Sequence, residues 1–96
     1  MTEADLQKKI VGYLRKPPDT FAVKIHGGPH QAAGLPDIVC CYGGLFIGFE
    51  VKLPGKEKTL TPKQELKLRR IVESGGKAAM VTSIEQVQEV LEETWE

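Results

Sequence analysis

Gly43-Gly44 is the position that most restricts what this chain can fold into. Two adjacent glycines tolerate φ > 0 at both central positions of a tight turn. They separate two apolar runs, Ile38-Val39-Cys40-Cys41-Tyr42 and Leu45-Phe46-Ile47-Gly48-Phe49, so the sequence predicts a β-hairpin with a two-residue loop. With Tyr42 facing Leu45, every other pairing follows, and Asp37 arrives opposite Glu50. The period of two then puts Lys52 on the face of Glu50 and Val51 on the other. One face gathers Asp37, Glu50 and Lys52. The opposite face reads Ile38, Cys40, Tyr42, Leu45, Ile47, Phe49 and Val51, apolar enough to be the buried side of a sheet. Like charges facing each other across a hairpin cost about 0.2–1 kcal/mol unless something bridges them. The pattern points to a site for a hard cation; a solvated pair neutralised by Lys52 is the plainer alternative.

The flanking segments supply the elements that surround this hairpin. Thr2-Glu3-Ala4-Asp5 has the form of a helix N-terminus with Thr2 as N-cap, followed by the stripe Leu6, Ile10, Tyr13 and Leu14. Glu3 shares a face with Gln7, Ile10 and Leu14, so its carboxylate is aimed toward the core side or serves the helix dipole. Pro17-Pro18-Asp19 ends the helix, and Phe21 to His26 alternates as a strand with Phe21, Val23 and Ile25 on one side, Lys24 and His26 on the other. Residues 27–36, rich in Gly and Pro, form an approach loop to Asp37, and His26 and His30 are candidates for phosphate contact or proton transfer.

Beyond Lys52 the chain breaks at Pro54-Gly55, and Thr61-Pro62-Lys63-Gln64 is a strong helix start: Thr at the N-cap, Pro at N1, Gln at N3. Gln64, Leu68 and Ile71 lie on one face of a helix that runs to Gly75-Gly76. Residues 77–82 read as a short strand, parallel to residues 45–52 because a helix joins them. Ser83-Ile84-Glu85-Gln86 caps a last helix with Ile84, Val87, Leu91 and Trp95 toward the core. The predicted order is αβββαβα, a single α/β domain over residues 1–96 with a mixed four-stranded sheet flanked by helices.

Lys plus Arg and Asp plus Glu each number 13, so net charge by itself says nothing for nucleic acid. The distribution says more: residues 52 to 77 hold eight basic groups against three acidic ones, while residues 83 to 96 hold five Glu and no base. A basic segment following a carboxylate hairpin can track a phosphate backbone, although such faces are often simply solvated. Cys40 and Cys41 are adjacent on a strand, point to opposite faces and have no second pair to complete a zinc site, so they read as reduced packing residues. With no charged-then-apolar leader and no run of 18 apolar residues, the expectation is a soluble, intracellular, cytoplasmic protein rather than a secreted or membrane one.

On these residues the chain resembles the PD-(D/E)XK nuclease superfamily, whose restriction-endonuclease-like αβββαβ core carries its acidic site on the second and third strands. Pro36-Asp37 and Glu50-Val51-Lys52 fill that pattern. Within the superfamily it resembles a stand-alone VRR-NUC domain, the virus-type replication-repair nuclease module of phage and viral type. Gly34-Leu35-Pro36-Asp37-Ile38, Phe49-Glu50-Val51-Lys52, Pro54-Gly55 and Thr61-Pro62-Lys63-Gln64 stand in the family's order, with Leu53 where a small residue is expected. The resemblance implies metal-dependent phosphodiester hydrolysis. Asp37, Glu50 and the Val51 carbonyl would hold Mg²⁺, with Mn²⁺ as a substitute, because hard oxygen donors suit those ions better than zinc. Lys52 would orient water or neutralise charge in the transition state. Glu3 would join as a further metal ligand, direct or through water, and Gln64 would support the site.

The resemblance further implies a DNA partner, most simply a four-way junction cut by a homodimer acting as a Holliday-junction resolvase, because two symmetric incisions need two sites. The alternatives are a nuclease acting on flaps or free ends and a non-catalytic DNA-binding module.

Overall fold

The computed structural model describes residues 1–27 and 33–93; His30 and Trp95, singled out above, lie outside the described residues. The chain runs through α1 (Glu3–Leu14), β1 (Thr20–Lys24), β2 (Ile38–Tyr42), β3 (Leu45–Val51), a short 3₁₀ turn (Glu57–Thr59), α2 (Pro62–Glu73), β4 (Lys77–Val81) and α3 (Ile84–Glu93). The four strands form one mixed sheet in the order β1-β2-β3-β4, antiparallel except for the parallel β3–β4 pair.

The hairpin register is the one the glycine pair dictates. Gly43 and Gly44 have φ of +55° and +89°, Tyr42 faces Leu45, and Ile38 faces Phe49. The apolar face is the core: Ile38, Cys40, Ile47, Phe49 and Val51 are buried together with Leu6, Ile10 and Leu14 of α1 and Val87 and Leu91 of α3. Burial pushes the Cys40 thiol up to about 11, as suits a packing residue, whereas Cys41 is exposed rather than packed.

β1 departs in detail from its sequence pattern. It is shorter, and its core-facing residue is Ala22, which faces Cys40, while the larger Phe21 is 69% exposed on the other side. The small residue is on the inner side because α1 packs directly on β1, and Arg15 Nε, at the end of α1, donates to the Ala22 carbonyl at 3.0 Å. Pairing continues one step past the strand, where the Ile25 N–H donates to the Asp37 carbonyl at 2.7 Å.

Each helix starts where a side chain satisfies its free N–H groups. Thr2 and Asp5 form a reciprocal capping box on α1, and Thr61 and Gln64 form one on α2. At α3 the exchange is displaced by one residue: Gln86 N–H donates to Ser83 Oγ, but Gln86 Oε1 accepts from Thr82 N–H at 2.7 Å. α2 lies on the opposite side of the sheet from the core, over β3 and β4, and ends at Glu73, before Gly75-Gly76. Gly48 makes that packing possible, since a Cβ there would meet Ile71 Cδ1 at 2.8 Å and Pro36 Cγ at 3.0 Å.

Candidate active site

Where α2 begins, it stands over the end of β3 that carries Glu50 and Lys52. The approach loop holds it there: Gly34, at φ +83°, presses so closely on the first turn of α2 that a Cβ would fall 2.6 Å from the Lys63 carbonyl oxygen. The next turn of chain delivers Pro36 and Asp37 to the same spot. Asp37 sits at the threshold of β2, half-buried, and its Oδ2 accepts from the Val51 N–H at 2.8 Å. That N–H faces β2 beyond the last backbone pair, so the carboxylate extends the ladder by one rung.

Glu50 and Lys52 are not a solvated pair. Glu50 is 1% exposed and Lys52 8%, both among the most enclosed polar residues described. Gln64 Nε2 donates to Glu50 Oε1 at 2.8 Å, while Gln64 Oε1 accepts from the Thr61 N–H at 2.9 Å and the Gln64 N–H donates to Thr61 Oγ1 at 3.1 Å. One side chain therefore caps the helix and holds the carboxylate. A glutamate would cap equally well but would set a third carboxylate against Glu50 and Asp37, which explains why this N3 position carries an amide.

The second oxygen, Glu50 Oε2, is buried and no donor group of the described residues reaches it. Each carboxylate thus has one oxygen fixed by the protein, Asp37 Oδ2 by a backbone N–H and Glu50 Oε1 by an amide. The other oxygens remain for a ligand. Burial pushes the Glu50 carboxyl from 4.5 up to about 8, and the Asp37 charge adds to the rise, as does a hydrogen bond that the protonated group offers Asp37; Lys52 opposes it and Glu3 adds a smaller push. A buried carboxyl that keeps its proton beside a second carboxylate is poised to exchange that proton for a cation.

Glu3 is half-buried at the first position of α1 and acts on Glu50 through its charge. Among the described residues no three His, Cys, Asp or Glu side chains gather closely enough to hold a metal by themselves. The site is a carboxylate pair, with Glu3 at its margin. The donor set still fits a hard divalent cation, because a buried carboxyl oxygen that no protein donor reaches, beside a second carboxylate, keeps its proton only for want of another positive charge. Lys52 has no ion pair within 4.0 Å among the described residues, so its ammonium is not consumed by Glu50 or Asp37. His26 is exposed at the end of β1, outside this group.

Sequence reasoning brought Asp37, Glu50, Lys52, Glu3 and Gln64 to one end of the sheet, and the fold assembles them there. It gave no role to Gly34 and Gly48, whose missing side chains let the loop and α2 close on the site. For Gly48 the signal was present in the strand itself, where a glycine interrupts an otherwise bulky run. Gln7, 7% exposed one turn after Glu3, was placed on the inner stripe without a role.

No family model matches the sequence, and no curated protein matches it. Among solved structures, a "VRR_NUC domain protein" superposes with a TM-score of 0.70 over 96% of this chain and 86% of that one, at 18% sequence identity. The chain has the fold of a VRR-NUC domain. No described helix is long and apolar enough to cross a membrane.

Proposed function

We propose that this domain is a metal-dependent DNA nuclease that selects its substrate by structure. The observation that carries the reading is the buried Glu50, with one oxygen held by Gln64 and the other reached by no protein donor, set beside Asp37 and an uncommitted Lys52. A purely structural carboxylate with so little exposure would be matched to a cation or donor on both oxygens. The shared fold with a VRR_NUC domain protein supports the same class.

Asp37, Glu50 and the Val51 carbonyl are the groups that would hold Mg²⁺ or Mn²⁺, with Glu3 acting through water. When bound, the cation supplies Lewis acidity to the phosphate and to the attacking water. The chain's own residues do the positioning. Gln64 holds Glu50 Oε1 so that Oε2 faces the reacting group, and the Val51 N–H orients Asp37. Lys52, nearly enclosed, presents a compact positive charge beside the carboxylates, where it can orient water and offset charge developing on the phosphate. Glu50 and Lys52 are nearly closed off from bulk solvent, with Gln64 of α2 on Glu50, which strengthens each of these interactions.

Nothing in the described fold resembles a base-reading module, so recognition rests on phosphate contacts and DNA shape. We further propose a homodimer that resolves four-way junctions, with flap or end cleavage as the competing reading. The test is incubation of labelled four-way junction, 5′ flap and linear duplex with and without Mg²⁺, beside the mass of the protein in solution. Paired symmetric cuts and a doubled mass are expected; absence of hydrolysis on every substrate with Mg²⁺ or Mn²⁺ would refute the nuclease.

A further inference from the structure

On the face of the sheet that carries Glu50 and Lys52, α2 covers β3 and β4, while β1 and β2 have no helix over them among the described residues. What stands on this open face is aromatic. Phe21 faces Cys41 and Cys41 faces Phe46, so the three occupy one row across β1, β2 and β3. Phe21 is 69% and Phe46 47% exposed, with the exposed Cys41 between them. At about 4.8 Å between strands, the two rings rise roughly 10 Å apart over a small side chain. Phe46 and Glu50 alternate onto the same face of β3, about 13 Å apart along the strand.

Beside Phe46 the α2 side of this face is cationic. Leu35, Phe46, Lys67, Arg70 and Ile71 line a groove of about 360 Å³. Neither Lys67 nor Arg70 has a carboxylate within 4.0 Å among the described residues, whereas Arg69, one position from Arg70 and outside the groove, is paired with Glu65. Two outward aromatic rings, unpaired cations alongside and a carboxylate pair at the end of the same face make a trough of definite chemistry. Rings stack on the faces of bases, and only an unpaired strand exposes those faces; a duplex keeps them in its own stack. The cations suit the phosphates of the same strand. A second copy of this chain is the poorer occupant, because an isologous pair sets the same patch against itself and would bring both sets of unpaired cations into one interface.

We infer that the open face of β1 and β2 binds single-stranded nucleic acid, with bases stacked on Phe21 and Phe46 and phosphates against Lys67 and Arg70. Resting on the nuclease reading for the direction in which the strand leads, this sets an unpaired strand beside the cut, so a branched DNA that carries an unpaired segment is preferred to the same branch fully paired.

The test separates binding from chemistry. Fluorescence anisotropy in EDTA would compare a labelled oligothymidylate of about 15 nucleotides with a duplex of similar charge. Wild type should bind the single strand more tightly, and Phe21→Leu and Phe46→Leu, which keep an apolar side chain, should each weaken it about tenfold while changing duplex binding less than about twofold. Lys67→Ala with Arg70→Ala should weaken the binding and flatten its salt dependence. Equal affinity of wild type for both probes, or unchanged affinity in the leucine variants, would overturn the inference. So would a wild-type dimer that both leucine substitutions turn into folded monomers, since the occupant would then be a second copy. Selective single-strand binding without hydrolysis in Mg²⁺ would support this inference and refute the nuclease reading instead.

Discussion

Replacing Glu50 by Gln should stabilise the metal-free protein at alkaline pH and abolish most of its pH dependence. In the folded chain the Glu50 carboxyl is pushed from 4.5 up to about 8, first by burial and then by Asp37. Below pH 4.5 the group is protonated in both folded and unfolded chains, and its contribution to stability is fully present. Between 4.5 and about 8 the unfolded chain ionises and the folded chain does not, so stability falls as pH rises and levels off above about 8. At about 1.36 kcal/mol per pH unit, that interval sets an upper bound of roughly 5 kcal/mol. Relaxation of the polar surroundings around the charge reduces it to about 2–3 kcal/mol.

The amide introduced by Glu50→Gln keeps an oxygen to accept from Gln64 and gains an N–H to offer Asp37, so the substitution removes the charge without orphaning its partners. Thermal unfolding in EDTA from pH 5 to 9 reads the difference. For a domain of this size wild type should lose roughly 10–20 °C in Tm across the range relative to Glu50→Gln. Mg²⁺ should restore wild type at pH 8, release protons on binding, and leave the variant unaffected. Parallel Tm profiles for the two proteins would show that Glu50 is ionised in the folded chain throughout, and the account of the site as a cation-seeking pair would fail.

Three further outcomes follow from the same contacts. Asp37→Asn should raise Tm in EDTA at pH 8 by a few degrees, because it keeps an acceptor for the Val51 N–H while removing a charge beside Glu50; a clear fall in Tm would contradict the register. Lys52→Ala should reduce DNA cleavage at least 100-fold with little change in DNA affinity in EDTA, measured by single-turnover kinetics and anisotropy; near-normal cleavage would remove Lys52 from the chemistry. Gln64→Glu should preserve the α2 cap yet destabilise the metal-free protein by about 1–2 kcal/mol at pH 8 in urea unfolding, an effect that Gln64→Met, lacking both cap and charge, would not show as a rise with pH.

The parts of this protein legible in its sequence are those set by local periodicity. Gly43-Gly44 fixed a turn, the turn fixed a register, and the register carried Asp37 to Glu50 without any knowledge of the rest of the fold. Thr61 and Gln64 likewise announced a helix start, because a capping box is complete within four residues. What periodicity does not contain is which face a second layer will cover and how far. Phe21 outranks Ala22 in bulk, yet Ala22 is the one on the face that α1 packs against, and Phe21 stands exposed on the other. Periodicity places Lys52 on the face of Glu50 but not its burial to 8% exposure, at the end of a strand over which α2 is seated by Ile71 at Gly48 and by Gly34 at its first turn. The two roles expected of Gln64 differ in the same way: its cap is local, but the support it gives the site is a bond to Glu50 that spans fourteen residues and depends on how the loop through Gly34 seats the helix. The chemistry of the site was therefore readable from residue types, whereas its electrostatics, a carboxyl raised to about 8 beside an uncommitted lysine, arise from packing between distant segments. Glycines at 34 and 48 connect the two, since the first lets the loop meet the Lys63 backbone and the second lets the Ile71 and Pro36 side chains settle on the strand where a Cβ would crowd them.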